Sequence, residues 1–141
     1  MATLTVSIKE DLNLNGTEFG SEYVMSETVT QVYKRIINCT ATEQSVLLFA
    51  AADAAGTLKD ATLDYLRITN LDTSASVQLR IVGAATQYYV KLEAGDSYIL
   101  GNSLMYADAT GTAAAESLIA IDTIHADASS GTADVEIFAA L

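Results

Sequence analysis

Between residues 63 and 100 the chain reads LDYLRITNLDTSASVQLRIVGAATQYYVKLEAGDSYIL, and apolar residues recur there at every second position. Val77, Leu79 and Ile81 alternate with Gln78 and Arg80, and Tyr88, Val90 and Leu92 alternate with Tyr89 and Lys91. A period of two sends successive side chains to opposite faces, so these runs read as half-buried antiparallel strands. Adjacent Tyr88 and Tyr89 must then face opposite ways, one into the core and one outward. The residues opposite the alternating core are Arg67, Gln78, Arg80, Tyr89 and Lys91, and these five are the candidate interface residues.

The same pattern extends along the chain. Leu4, Val6 and Ile8 predict a first strand that continues through Leu12 and Leu14 to a turn at Asn15-Gly16. Residues 17–28 read as a loop and a short strand. Residues 29–40 form a β-branched and aromatic run without clean alternation, which suits an edge strand or a bulge. Residues 45–51 predict a central strand covered on both faces, and residues 53–60 a loop. Strands follow near 64–69, 76–81, 87–92 and 97–100. Residues 70–74 and 93–96 read as hairpin-type turns between them, and 83–86 as a looser connection. Residues 101–117 read as a long surface loop, and strands at 117–124 and 133–138 close the fold. The expectation is an all-β protein: one antiparallel β-sandwich domain over 1–141, jelly-roll-like or Ig-like Greek key, with nine or ten short strands.

Composition narrows the function. The formal charge is −11, and seven Lys and Arg residues form no cluster beyond Lys34-Arg35. Phosphate recognition depends on such clusters, so nucleic acid is not an expected partner. The single cysteine, Cys39, permits no intrachain disulfide and reads as a small buried hydrophobe. No apolar run nears the roughly 18 residues of a membrane span, and the N-terminus carries no signal-peptide pattern. A soluble protein made in the cytoplasm is expected. The chain has no proline, a residue that often protects sheet edges. Charges or a neighbouring subunit must do that work, and a homo-oligomer is the expectation.

Chemistry-bearing patterns are missing. His125 lies near Asp122 and Asp127 without the further ligands or nucleophile that a metal or general-base site requires. With 18 acidic residues, pairs such as Glu10-Asp11 carry no information about glycosidase chemistry. Neither an EF-hand spacing, a phosphate-binding glycine loop nor a GxSxG elbow occurs. No catalytic residue, cofactor or metal is therefore expected. Seven tyrosines and no tryptophan weaken a sugar-stacking reading and suit protein contacts.

Three phrases, TVSIKEDLNLNG, YLRITNLDTSASVQLRI and YYVKLEAGDSYIL, give the chain a resemblance to small all-β virion proteins of tailed bacteriophages. It covers about half the sequence and rests on hairpin-type phrases. The resemblance implies a non-enzymatic protein of the virion, synthesised in the host cytoplasm, that contacts itself and a major capsid protein or another virion protein. Capsid decoration or cement is the favoured role, because heptads and collagen-like repeats of a fibre shaft are lacking. The alternative is a tail or receptor-binding β-domain recognising a cell-surface glycan. It predicts outward Tyr and Asp residues clustered in the loops at one end of the sandwich.

Overall fold

A computed structural model describes residues 1–52, 54–84, 86–105 and 118–141. The described residues are all-β, with one short 3-10 turn at Asp60–Thr62 and no α-helix. Ten strands have four residues or more, and four further strands have two. The loop expected over 101–117 lies mostly outside the described residues. Where the sequence reads as one domain, the chain contacts divide into two compact units, Met1–Gln31 and Val32–Leu141.

The first unit is a β-ribbon. Strands β1 (Ala2–Glu10) and β4 (Ser21–Val29) pair antiparallel along nine residues each. Between them, β2 (Asn13–Leu14) and β3 (Thr17–Glu18) close the ribbon tip. Asn15 and Gly16 have φ of 53° and 83°, the two positive values that a type I′ turn demands and that this dipeptide supplies at low cost. The Gly16 N–H donates to Asn13 Oδ1 at 3.1 Å, which steadies the turn. Residues 17–28 are thus mostly paired strand rather than loop. Weak alternation hid this, because Glu22, Ser26 and Thr28 share a ribbon face with Val24.

The second unit is an eight-stranded sandwich with two added two-residue strands. Its long strands are β5 (Val32–Thr40), β6 (Gln44–Ala50), β8 (Tyr65–Asn70), β9 (Val77–Gly83), β10 (Gln87–Leu92), β11 (Ser97–Leu100), β13 (Ile119–Ala128) and β14 (Thr132–Ala140). One sheet runs β10-β9-β13-β6 and the other β11-β8-β14-β5. Strand β7 (Leu58–Lys59) adds parallel to β6, and β12 (Leu104–Met105) pairs with β13.

The ladders nest: β5 with β14, β6 with β13, β8 with β11, β9 with β10. The chain goes out along four strands and returns along four, and this long double ribbon wraps until β9 meets β13 and β8 meets β14. That order is a jelly roll. An Ig-like fold pairs successive strands within each sheet, whereas among the described strands of this unit only β9 and β10 are consecutive long strands sharing a ladder.

Two expected hairpin turns are therefore crossings between sheets. Residues 71–76 carry the chain from β8 to β9, and 93–96 from β10 to β11, in each case from one sheet to the other. The looser connection after Gly83 is the true hairpin, closed by the Gly83 N–H to Thr86 carbonyl bond of 2.9 Å. Asx-turn chemistry looks alike in hairpins and in crossings, since its hydrogen bonds are local. Asp72 accepts from the backbone N–H groups of Ser74 and Ala75 at 2.8 and 2.7 Å, which holds its carboxyl below the usual carboxylate range.

The core lies between the sheets. Val77, Leu79, Ile81 and Ile124 from one sheet meet Leu66, Ile68, Val135 and Ile137 from the other, all with no exposed surface. Burying such side chains stabilises by about 1.5–3 kcal/mol each. Strand β6 was expected to be covered on both faces, but its Ser45 and Leu48 are exposed. Its neighbours β13 and β7 cover its edges and leave its outer face open.

Candidate functional site

Two surfaces carry the unusual features: the outer face of the β10-β9-β13-β6 sheet, and the ribbon of the first unit.

On the sheet, Val77, Leu79 and Ile81 point inward as the alternation requires, leaving Gln78 and Arg80 on the outer face. On β10, Tyr88 is the inward member of the tyrosine pair and Tyr89 the outward one, 55% exposed. The register sets Tyr89, Arg80 and His125 in one row and Lys91, Gln78 and Asp127 in the next. Four of the five candidate residues, Gln78, Arg80, Tyr89 and Lys91, thus share one face. Arg67 does not join them. It lies on β8, on the outer face of the opposite sheet, where it donates to Glu136 at 2.6 Å and to the Thr69 hydroxyl.

Arg80 is tied down within the molecule. Its guanidinium forks onto Glu43, with Nε to Oε2 at 2.8 Å and Nη2 to Oε1 at 2.5 Å, and its Nη1 donates to Gln87 at 3.1 Å. This pairing holds the Glu43 carboxyl below its ordinary range and raises the guanidinium further. His125 Nδ1 lies 3.9 Å from Glu43. Asp127 is pushed the other way, by burial first and then by the Glu43 charge. Lys91 pairs with Glu93 at 2.6 Å. Of the four candidate residues on this face, Tyr89 and Gln78 are exposed and make no side-chain hydrogen bond to another described residue.

Sequence reasoning missed Glu43, which sits in the turn before β6, outside any alternating run. Its only advance signal was an acid flanking a strand. It also missed Asn70. That side chain is fully buried and donates to the carbonyls of Ala75, Glu93 and Leu92 at 2.8, 3.1 and 3.3 Å. Its Oδ1 accepts from the Asp72 N–H at 3.0 Å, so one amide joins two crossings.

The ribbon carries an apolar face. In its register Val6 opposes Met25 and Ile8 opposes Tyr23, so Leu4, Val6, Ile8, Tyr23 and Met25 lie on one side. Ile8 is 45% and Tyr23 66% exposed, and Leu12, Leu14 and Phe19 near the tip are exposed as well.

A cleft of about 270 Å³ opens beside β5 and β6, lined by Tyr33, Arg35, residues 45–48 and residues 56–58. Among the described residues Arg35 is the one charged group lining it, and none of them gives it an acid–base pair. Among the described residues no three His, Cys, Asp or Glu side chains gather to hold a metal. Cys39 is fully buried in the core, and burial pushes its thiol up. Among the described residues no helix is long and apolar enough to cross a membrane. Comparisons with protein-family models, curated proteins and solved structures find no match to this chain.

Proposed function

We propose that this chain is a non-enzymatic structural protein of a bacteriophage virion, a capsid decoration or cement subunit that stabilises the particle through contacts with its own copies and with a capsid protein. The observation that carries the reading is the ribbon. A two-stranded ribbon is at best marginally stable in water, yet this one keeps Ile8 and Tyr23 exposed on a continuous apolar face. Such a face is useful when a partner covers it. The virion as the place of action rests on the resemblance of the three sequence phrases alone. The polar sheet face, with Arg80 and Lys91 held by acids of the same chain, suits a surface directed at solvent.

The glycan-binding alternative gains nothing from the described tyrosines. Tyr23, Tyr33, Tyr65, Tyr88, Tyr89 and Tyr98 all lie on strands rather than in loops at one end of the sandwich.

The test is the protein content of purified particles of the virus that encodes the chain. The chain should be present on the capsid shell, and the double substitution I8T/Y23T should remove it while leaving the sandwich folded by circular dichroism. Absence of the chain from particles, or labelling confined to the tail, would overturn the decoration role.

A further inference from the structure

We infer that β1 is a self-pairing edge: two copies of the chain join β1 to β1, antiparallel about a two-fold axis at Val6, and make one four-stranded sheet from two ribbons. The inference deepens the proposed function, from which it takes the premise that the ribbon is an assembly element, and it commits to a second copy as the partner of this edge. It uses residues of the first unit alone.

Among the described strands β1 has one ladder partner, β4, so its other edge is open along nine residues. The Phe19 N–H donates to the Leu12 carbonyl at 2.8 Å, and the register runs without a shift from Leu14 opposite Thr17 to Ala2 opposite Val29. Hydrogen-bonded pairs alternate along such a ladder. Leu4, Val6 and Ile8 therefore direct their backbone groups at β4, while Thr3, Thr5, Ser7 and Lys9 direct theirs out of the open edge. Proline, bulges and inward charges are the usual devices that blunt an edge. Residues 2–8, ATLTVSI, carry none of the three. In a chain of net charge −11 they are also a stretch without an ionisable side chain, where a second copy meets little like-charge repulsion.

A ladder between two β1 strands must set outward-directed residues opposite one another. Odd residues then face odd residues, and the two-fold axis passes through a residue rather than between two. Centred on Val6, the axis pairs all nine residues, from Ala2 opposite the partner's Glu10 onward. Thr5 and the partner's Ser7 exchange N–H···O bonds, and the pair recurs by symmetry. On the apolar face Val6 meets Val6 and Leu4 meets Ile8. On the other face Thr5 meets Ser7, a favourable cross-strand pair. The two Lys9 side chains stay at opposite ends, each bonded to Asp11 of its own copy at 2.8 Å. An axis at Ser7 would set Leu4 against Glu10, and one at Thr5 would leave Lys9 and Glu10 outside the described strand pair.

The other edge of the ribbon is a poorer self-partner. A two-fold axis at Met25 would set Tyr23 against Glu27 and Val24 against Ser26, and would bring Glu22 and Glu27 of both copies into one strand pair. Pairing through β1 also offsets the weakness of the ribbon, since three or more strands with an apolar face are needed for independent stability. In the joined sheet that face runs unbroken from Met25 and Val6 of one copy to the same residues of the other.

Sedimentation of the full chain over a concentration series tests this, and the wild type should run as a dimer. T5P removes an N–H that points out of the ribbon rather than into it. It should raise the dimer dissociation constant at least about ten-fold while keeping the circular dichroism of the wild type. V6C sets two thiols opposite each other at a non-hydrogen-bonded pair, where Cα atoms lie about 4.5 Å apart, within reach of a disulfide. Under mild oxidation V6C should form a covalent dimer, L4C alone should not, and L4C mixed with I8C should. Cys39 is buried in the core and takes no part. A wild-type monomer at all concentrations, a dimer indifferent to T5P, or V6C chains that do not link would each overturn the inference. Particles occupied by a chain that never dimerises would sink the dimer while sparing the proposed function, and a β1-linked dimer missing from particles would do the reverse.

Discussion

The hydroxyls of Tyr88 and Tyr98 share a hydrogen bond of 2.6 Å, and it joins the two sheets, since Tyr88 belongs to β10 and Tyr98 to β11. These strands lie at the same margin of the sandwich without sharing a ladder. Burial first, and then the shared bond, pushes the Tyr88 phenol well above its ordinary range. Either single substitution to Phe strands a half-buried hydroxyl and should cost about 1 kcal/mol. The double substitution should cost less than the sum of the two. A double-mutant cycle by urea unfolding measures the difference.

Glu136 accepts Arg67 at 2.6 Å and Lys34 at 3.2 Å, with 13% of its own side chain exposed. Arg67 first, then Lys34, holds its carboxyl below the ordinary 4.5. A depressed carboxylate contributes stability above its unfolded pKa and loses it as pH falls through the folded one. Glu136→Gln should therefore cost about 1–2 kcal/mol at neutral pH. The deficit against wild type should shrink as pH falls past 4.5 and vanish in stronger acid, which chemical denaturation across a pH series would record.

Asn70→Ala should destabilise by about 3 kcal/mol, because a buried side chain is removed with several hydrogen bonds and leaves carbonyls unpaired. Asn70→Asp should be worse, since it aims a carboxylate at three carbonyl oxygens. Hydrogen exchange should show residues 71–76 and 93–96 losing protection together, ahead of the β13 and β14 core.

A Cβ on Gly83 would meet the Ala120 carbonyl oxygen at 2.9 Å and Ile119 Cδ1 at 2.9 Å. The first contact is backbone within the β9–β13 ladder and cannot swing away. Gly83→Ala should cost about 1–3 kcal/mol. Ala84→Gly, one residue on, is the control and should lower thermal stability only slightly.

Period-two alternation determined the strands of 63–100, the inward set Val77, Leu79, Ile81 and Tyr88, and the outward set Gln78, Arg80, Tyr89 and Lys91. The Asn15-Gly16 turn was equally plain, since backbone φ there depends on the two residues alone. Those are local facts, because side-chain direction and turn geometry are settled within a few residues. Which sheet each strand joins is not local. The choice of jelly roll over an Ig-like order, the separation of Arg67 from the other four, and the recruitment of Glu43 and Asn70 depend on ladders between strands distant in sequence. Strands with similar alternation can pair in several orders at little difference in local energy, and the shared core between the sheets selects among them. That is why the outward faces were legible as faces, and only the tertiary structure decided which residues share one.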